Sequence, residues 1–177
     1  EDRKDRDIKT RLLEINKIAA TYYYHQLKSE AGKSGLDYLV KRCLSDKTIN
    51  SFGLGYAPQS TGELYRMLKD KGYDDGILKE SGLFTYEKGV RDKFWNRVIF
   101  PIMDINNKVI GFGGRVMGDA KPKYLNSPET KLFDKSRNLY GLNAARTARK
   151  NNLIICEGYM DVISLHQAGF TQAVASL

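Results

Sequence analysis

The segment Ile154-Ile155-Cys156-Glu157-Gly158-Tyr159-Met160-Asp161-Val162 places a carboxylate at the abrupt end of an apolar run. Beyond it, Val162, Leu165 and His166 share one stripe at helical spacing, Gly169 closes the segment, and residues 173–177 form a second apolar run. This order predicts strand, tight turn, helix and strand, the opening of a parallel βαβ unit. A carboxylate at the carboxyl end of such a strand lies where open α/β sheets bind ligands. Held there facing solvent, Glu157 can ligate a hard divalent cation or accept a proton. An acid that merely opens a helical turn, where the dipole favours negative charge, would look the same. The local pattern leaves both readings open.

The second chemical signal is cationic. Arg97, Arg115, Lys121, Lys123, Lys135 and Arg137 fall on or beside a predicted hairpin and the polar loop after it, mixed with Tyr124, Asn126 and Phe133. Clustered, fixed cations neutralise phosphates and suit a polymerising site. Lysine and arginine also guard exposed strand edges, which gives a purely structural alternative. Over 177 residues, 29 Lys and Arg outnumber 21 Asp and Glu, for a net charge of +8. That surplus favours a polyanionic partner, nucleic acid before an anionic membrane. No segment approaches the length of a membrane span.

Other motifs carry less. Gly32-Lys33-Ser34 resembles the end of a phosphate-binding loop, but the glycine required five positions before Gly32 is replaced by Leu27, so the backbone cradle is missing. Gly111-Phe112-Gly113-Gly114 lacks dinucleotide-binding spacing and lies in a strand-like run. Its glycines are expected to admit a bulge or the close approach of another backbone or a ligand. His25 and His166 stand singly on predicted helices, where packing or surface roles are expected. Tyr22-Tyr23-Tyr24 could stack bases, yet adjacent helical positions point apart, and core packing of one or two rings is the simpler use. Cys43 and Cys156 have no Cys-x-x-Cys spacing; neither a disulfide framework nor a zinc site is expected, and a reducing cytoplasm fits.

The elements that must position these residues follow from periodicity and turn chemistry. A long helix is predicted over residues 8–30, where Ile8, Leu12, Ile15, Ala19, Tyr22 and Gln26 recur at three and four residues. Shorter helices are predicted over 36–43 and after a Ser45 cap, then a strand over 52–58 stopped by proline. Ser60-Thr61-Gly62-Glu63 has capping-box spacing before a helix ending near Gly72, and another helix is expected over 75–81. Residues 83–86 and 97–117 read as β-structure, with Asn106-Asn107 at a hairpin turn. Residues 121–141 read as loop, with a helix start at Ser127-Pro128-Glu129. Asn143 is expected to cap a basic helix running to Lys150.

In order along the chain stand Arg97-Val98-Ile99-Phe100-Pro101-Ile102, Gly111-Phe112-Gly113-Gly114-Arg115-Val116, Pro122-Lys123-Tyr124-Leu125-Asn126-Ser127-Pro128-Glu129-Thr130, Leu139-Tyr140-Gly141-Leu142 and the Glu157 segment. Together they closely resemble the RNA polymerase domain of bacterial DnaG-type DNA primases, and the likeness covers essentially the whole chain. Tyr38-Leu39-Val40-Lys41-Arg42 and Phe52-Gly53-Leu54-Gly55-Tyr56-Ala57-Pro58 match as well. The resemblance implies an α/β fold: a basic, mixed α+β N-terminal subdomain over 1–134, then a linker helix and the first βαβ unit of a TOPRIM fold over 135–177. It implies a nucleotidyltransferase that synthesises short RNA primers on single-stranded DNA template from ribonucleoside triphosphates.

On that likeness Glu157 would be the TOPRIM glutamate, a magnesium (or manganese) ligand or general base, with Lys123 and Lys135 beside it as catalytic residues. Arg115, Lys123 and Lys135 match positions that hold the incoming nucleotide, its phosphates or the template. Asn126 and Arg42 join that set, Arg97 and Arg137 line the template path or brace the fold, and Asp161 orients the site. The family carries glycine where this chain has Cys43. An Asp-x-Asp pair supplying most magnesium ligands is expected beyond residue 177, a zinc-binding domain upstream, and a domain engaging the replicative helicase downstream. The 177-residue chain is therefore expected to be inactive alone, with its last strand short of partners. The rival readings are a non-catalytic single-strand-binding module, or another TOPRIM enzyme such as a topoisomerase or repair nuclease.

Overall fold

The computed structural model describes residues 2–59 and 62–177. Helix α1 (Arg3–Lys28) begins before the predicted start because the Asp2 side chain accepts from the Lys4 amide and caps a wholly polar first turn. It buries Leu12, Ile15, Ala19, Tyr23 and Leu27 on one face, so one of the three adjacent tyrosines serves the core. After α2 (Lys33–Lys41) and α3 (Asp46–Ser51), the latter capped by Ser45 as expected, comes a strand shorter than predicted, β1 (Gly55–Ala57). Helices α4 (Glu63–Asp70) and α5 (Asp75–Ser81) follow. The Ser60 capping position lies outside the described residues. A small hairpin, β2 (Phe84–Thr85) with β3 (Arg91–Asp92), leads into the main sheet.

That sheet contains β4 (Arg97–Met103), β5 (Val109–Val116) and β6 (Tyr124–Asn126) in the order β1-β4-β5-β6, antiparallel throughout. The β4–β5 turn is fixed by Asp104, whose Oδ1 accepts from the amides of Asn106 and Lys108, and by Asn107 at φ 62°. Strand β4 is buried through Ile102 because both faces are covered. Ile99 and Phe112 pack with α1, α4 and α5. Val98, Phe100 and Ile102 pack on the opposite side, with the second sheet and its helix. The pleat separates these two sets.

The second sheet follows a 3-10 turn (Lys135–Arg137) and comprises β7 (Leu139–Tyr140), β8 (Ile154–Cys156) and β9 (Ala173–Ser176), in the order β7-β9-β8. Strands β8 and β9 are parallel and joined by α7 (Tyr159–Gln167), which is the predicted βαβ unit. The last strand is not short of partners: β7 pairs antiparallel with its other side. A helix does not start at Ser127-Pro128. Ser127 is buried, and its hydroxyl accepts from the Phe112 amide, which ties that segment to β5. The predicted basic helix shrinks to α6 (Leu142–Ala145) and a 3-10 turn (Arg146–Ala148). Asn143 is not its cap, since it lies within α6 and donates to Asn107 Oδ1.

Candidate nucleic-acid interface

The glycines of β5 are docking positions for side chains from other elements. A Cβ on Gly113 would fall 2.4 Å from Tyr159 Cζ; one on Gly114 would meet Phe94 at 2.9 Å and Arg97 Cδ at 3.0 Å; one on Gly111 would meet Phe133 at 3.1 Å. Tyr159, at the start of α7, therefore lies flat over β5, stacked on Phe100 at 4.9 Å and 5° and edge-on to Tyr140 at 4.6 Å. Burial pushes its phenol above the ordinary tyrosine range. Its hydroxyl donates to Asn126 Oδ1, and Asn126 is the β6 residue paired with Gly113. One ring thus joins the βαβ unit to the main sheet and orients Asn126.

Above that junction opens a cleft of about 560 Å³ lined by Arg42, Tyr124, Asn126, Glu157, Tyr159, Asp161 and the end of β9. Four of the residues given a site role from sequence meet here: Arg42, Asn126, Glu157 and Asp161. The Glu157 carboxylate is exposed and has no hydrogen-bond or ion-pair partner among the described residues. Arg115 adjoins the cleft through Tyr38, whose ring lies 4.7 Å from the Arg115 guanidinium carbon and 5.2 Å from that of Arg42. Burial, then the neighbouring Tyr38, pushes the Tyr124 phenol up, while Arg115 pulls it down.

Lys135 and Arg137 line a separate hollow of about 670 Å³ that shares Ser176 and Leu177 with the first. Lys93, passed over in the sequence, belongs beside Lys135: burial lowers its ammonium, and the charge of Lys135 lowers it further. Lys123 is exposed and lines neither hollow. Arg97 is 3% exposed and lines neither, donating to the carbonyls of Gly114 (3.2 Å), Lys123 (3.3 Å) and Pro122 (2.8 Å). These bonds tie Arg97 to the backbone of β5 and of the Pro122-Lys123 segment. Tyr38, named in the sequence only within the Tyr38–Arg42 match, stands four residues before Arg42, a spacing that brings two side chains together on a helix face.

Comparison with known proteins decides the family. Residues 22–146 match the model of the DNA primase catalytic core, N-terminal domain, and residues 151–177 match that of the Toprim domain. The chain belongs to the DNA primase family. Against the DNA primase of Clostridium acetobutylicum it is 48% identical over 176 residues, covering 98% of this chain and 29% of that protein. A DnaG primase catalytic domain bound to single-stranded DNA superposes with a TM-score of 0.87 at 40% identity, over 99% of this chain and 55% of that one. The RNA polymerase domain of Mycobacterium tuberculosis primase, in complex with a double-stranded DNA oligomer carrying a 6-nucleotide overhang, gives 0.90 at 35%, over 94% and 54%.

Magnesium takes a near-octahedral shell of oxygens. Among the described residues no group of three His, Cys, Asp or Glu side chains could hold a metal ion. Glu157 and Asp161 line the same cleft, but these described primase residues do not by themselves complete a magnesium site. No helix among the described residues is long and apolar enough to cross a membrane.

Proposed function

We propose that this chain is the nucleotide- and template-binding part of a primase catalytic core that makes short RNA primers on single-stranded DNA from ribonucleoside triphosphates. Glu157, without a partner among the described residues, lines one cleft with Arg42 and Asn126, and Arg115 is held against the same tyrosine as Arg42, which supports this function. Nucleotidyl transfer joins a 3′-hydroxyl to an α-phosphorus and releases pyrophosphate. It needs positioned reactants and fixed positive charge where negative charge develops. Arg42, Arg115, Lys123 and Lys135 are assigned to phosphates of nucleotide or template, Lys123 and Lys135 also to charge stabilisation in the reaction. Asn126 is assigned to nucleotide contact, exposed Arg137 to the template path, and Arg97 to bracing the loop that carries Lys123.

Glu157 is assigned as one ligand of a magnesium or manganese site, or as the general base. Residues 1–134 are assigned to the basic subdomain and 135–177 to the start of the Toprim fold, in line with the two sheets. The chain alone is expected to bind DNA without polymerising. Membership of the primase family supports a cytoplasmic setting and a replicative helicase as a partner.

The test is fluorescence anisotropy of a labelled single-stranded oligonucleotide across a salt series, with Arg115→Ala and Lys123→Ala beside the parent. Each lost phosphate contact is expected to make the log–log slope shallower by about 0.7. A folded parent that binds no DNA even at low salt overturns the reading.

A further inference from the structure

Two guanidinium groups share one aromatic ring at the rim of the Glu157 cleft. Arg42 caps the carboxyl end of α2, Arg115 lies on β5, and Tyr38 sits on α2. The guanidinium carbons are 5.2 and 4.7 Å from the Tyr38 centroid. They must therefore lie within about 10 Å of each other, one Debye length at 0.1 M salt. Like charges so placed repel and, on flexible stems, would drift apart into water. The negative face of an aromatic ring offsets that repulsion and fixes both cations.

Two further observations show that this is a held arrangement. Arg115 Nε is shut away from water with no hydrogen-bond partner among the described residues, a state that a surface side chain free to move would leave, and the Tyr124 phenol lies against both Tyr38 and Arg115. Arg115 is also tethered by an Nη1 hydrogen bond to the Val116 carbonyl. Neither arginine makes an ion pair with a described carboxylate, so both charges stay available to an incoming anion.

We propose that Tyr38 is a positioning residue that clamps Arg42 and Arg115 into a two-pronged receptor for a phosphate group beside Glu157. This rests on the reading of the chain as a phosphate-handling primase core. It assigns a role to a side chain that touches no substrate itself. The phosphate belongs either to the DNA backbone or to a nucleoside triphosphate, and the ring acts through its electrostatic face rather than its hydroxyl.

The test replaces Tyr38 in the intact protein by phenylalanine, by phenylalanines carrying one, two and three ring fluorines, and by leucine. Fluorination withdraws charge from the ring face with little change of shape, so a packing role would show no trend. Binding of a labelled single-stranded oligonucleotide and of a fluorescent ribonucleoside triphosphate is measured for each. Tyr38→Phe is expected to stay within about twofold of the parent, affinity to fall stepwise with fluorination, and Tyr38→Leu to lose about threefold to tenfold. The oligonucleotide or the triphosphate shows the trend according to which one supplies the phosphate. In an Arg42→Ala/Arg115→Ala background the trend is expected to vanish.

A flat fluorine series with Arg115→Ala still impaired overturns the clamp and leaves the primase reading standing. A trend that persists without the arginines also overturns it, because the ring would then meet the ligand directly. A folded parent that binds neither probe overturns both. If Tyr38→Leu does not fold, the isosteric fluorine series decides alone.

Discussion

Arg97 and Arg115 lie on paired neighbouring strands and look alike in sequence, yet their side chains have different surroundings. In the β4–β5 register Arg115 stands opposite Val98, and Arg97 one residue pair further along. The pleat therefore sends them to opposite faces. Arg115 reaches the ring of Tyr38, whereas Arg97 turns toward Phe94 and the main-chain carbonyls around Lys123. Replacing Arg97 by methionine is expected to lower stability by roughly 2–4 kcal/mol, since one buried and two partly buried carbonyls lose a charged donor. The salt slope of DNA binding per folded molecule should stay unchanged. Urea unfolding and the anisotropy series check the two halves; a stable variant with a shallower slope would make Arg97 a template contact. The parity was not legible beforehand, because it depends on the register shift between Ile102 and Met103, which no residue pattern announces. Glu157 was legible because a single apolar run ends at it, whatever the register.

At the scale of elements, turns present the cations. Helix α2 ends in a Schellman arrangement: the amide of Leu44 bonds to the carbonyl of Leu39 and that of Cys43 to Val40. This puts Cys43 at φ 62°, a left-handed conformation that disfavours any Cβ. The position where relatives were expected to carry glycine is thus one where glycine is the less strained choice. Cys43→Gly is expected to raise stability by about 1 kcal/mol without changing DNA affinity; a thermal melt showing no gain would contradict it.

The turn before β7 works through Asp134, whose Oδ1 accepts from the Ser136 hydroxyl (2.6 Å) and amide (2.9 Å) and so shapes the segment carrying Lys135 and Arg137. Those bonds, the hydroxyl first, hold the Asp134 carboxyl below its usual 3.8. With the folded value depressed, this contribution is present above pH 3.8 and is lost as pH falls through the folded value. An NMR titration should place the Asp134 midpoint below 3.8, with the Ser136 amide following it and Ser136→Ala moving it back up. A midpoint at or above 3.8 would contradict the cap. Helices at Ser127 and through Lys150 were misread for a related reason. Ser127 is claimed by a distant strand amide and Asn143 by Asn107, tertiary partners that local capping rules do not see.

Across the whole molecule, the cleft walls belong to one core. Val98, Phe100 and Ile102 of the main sheet share a cluster with Tyr140, Tyr159, Val162 and Ala175 of the second. That continuity holds Glu157 of the βαβ unit against Arg42 and Asn126 of the basic part, and the β5 glycines are what let the two layers approach. Order along the chain told of both sheets, but not that one tyrosine over Gly113 would join them. Under the proposed function, this junction is a polymerising site built around Glu157. The direct measurement is template-directed ribonucleotide incorporation by the intact protein carrying Glu157→Gln, with single-stranded DNA binding measured alongside. The expected result is a loss of about 100-fold or more in synthesis with DNA affinity within about twofold of the parent. Primer synthesis at the parental rate would contradict it.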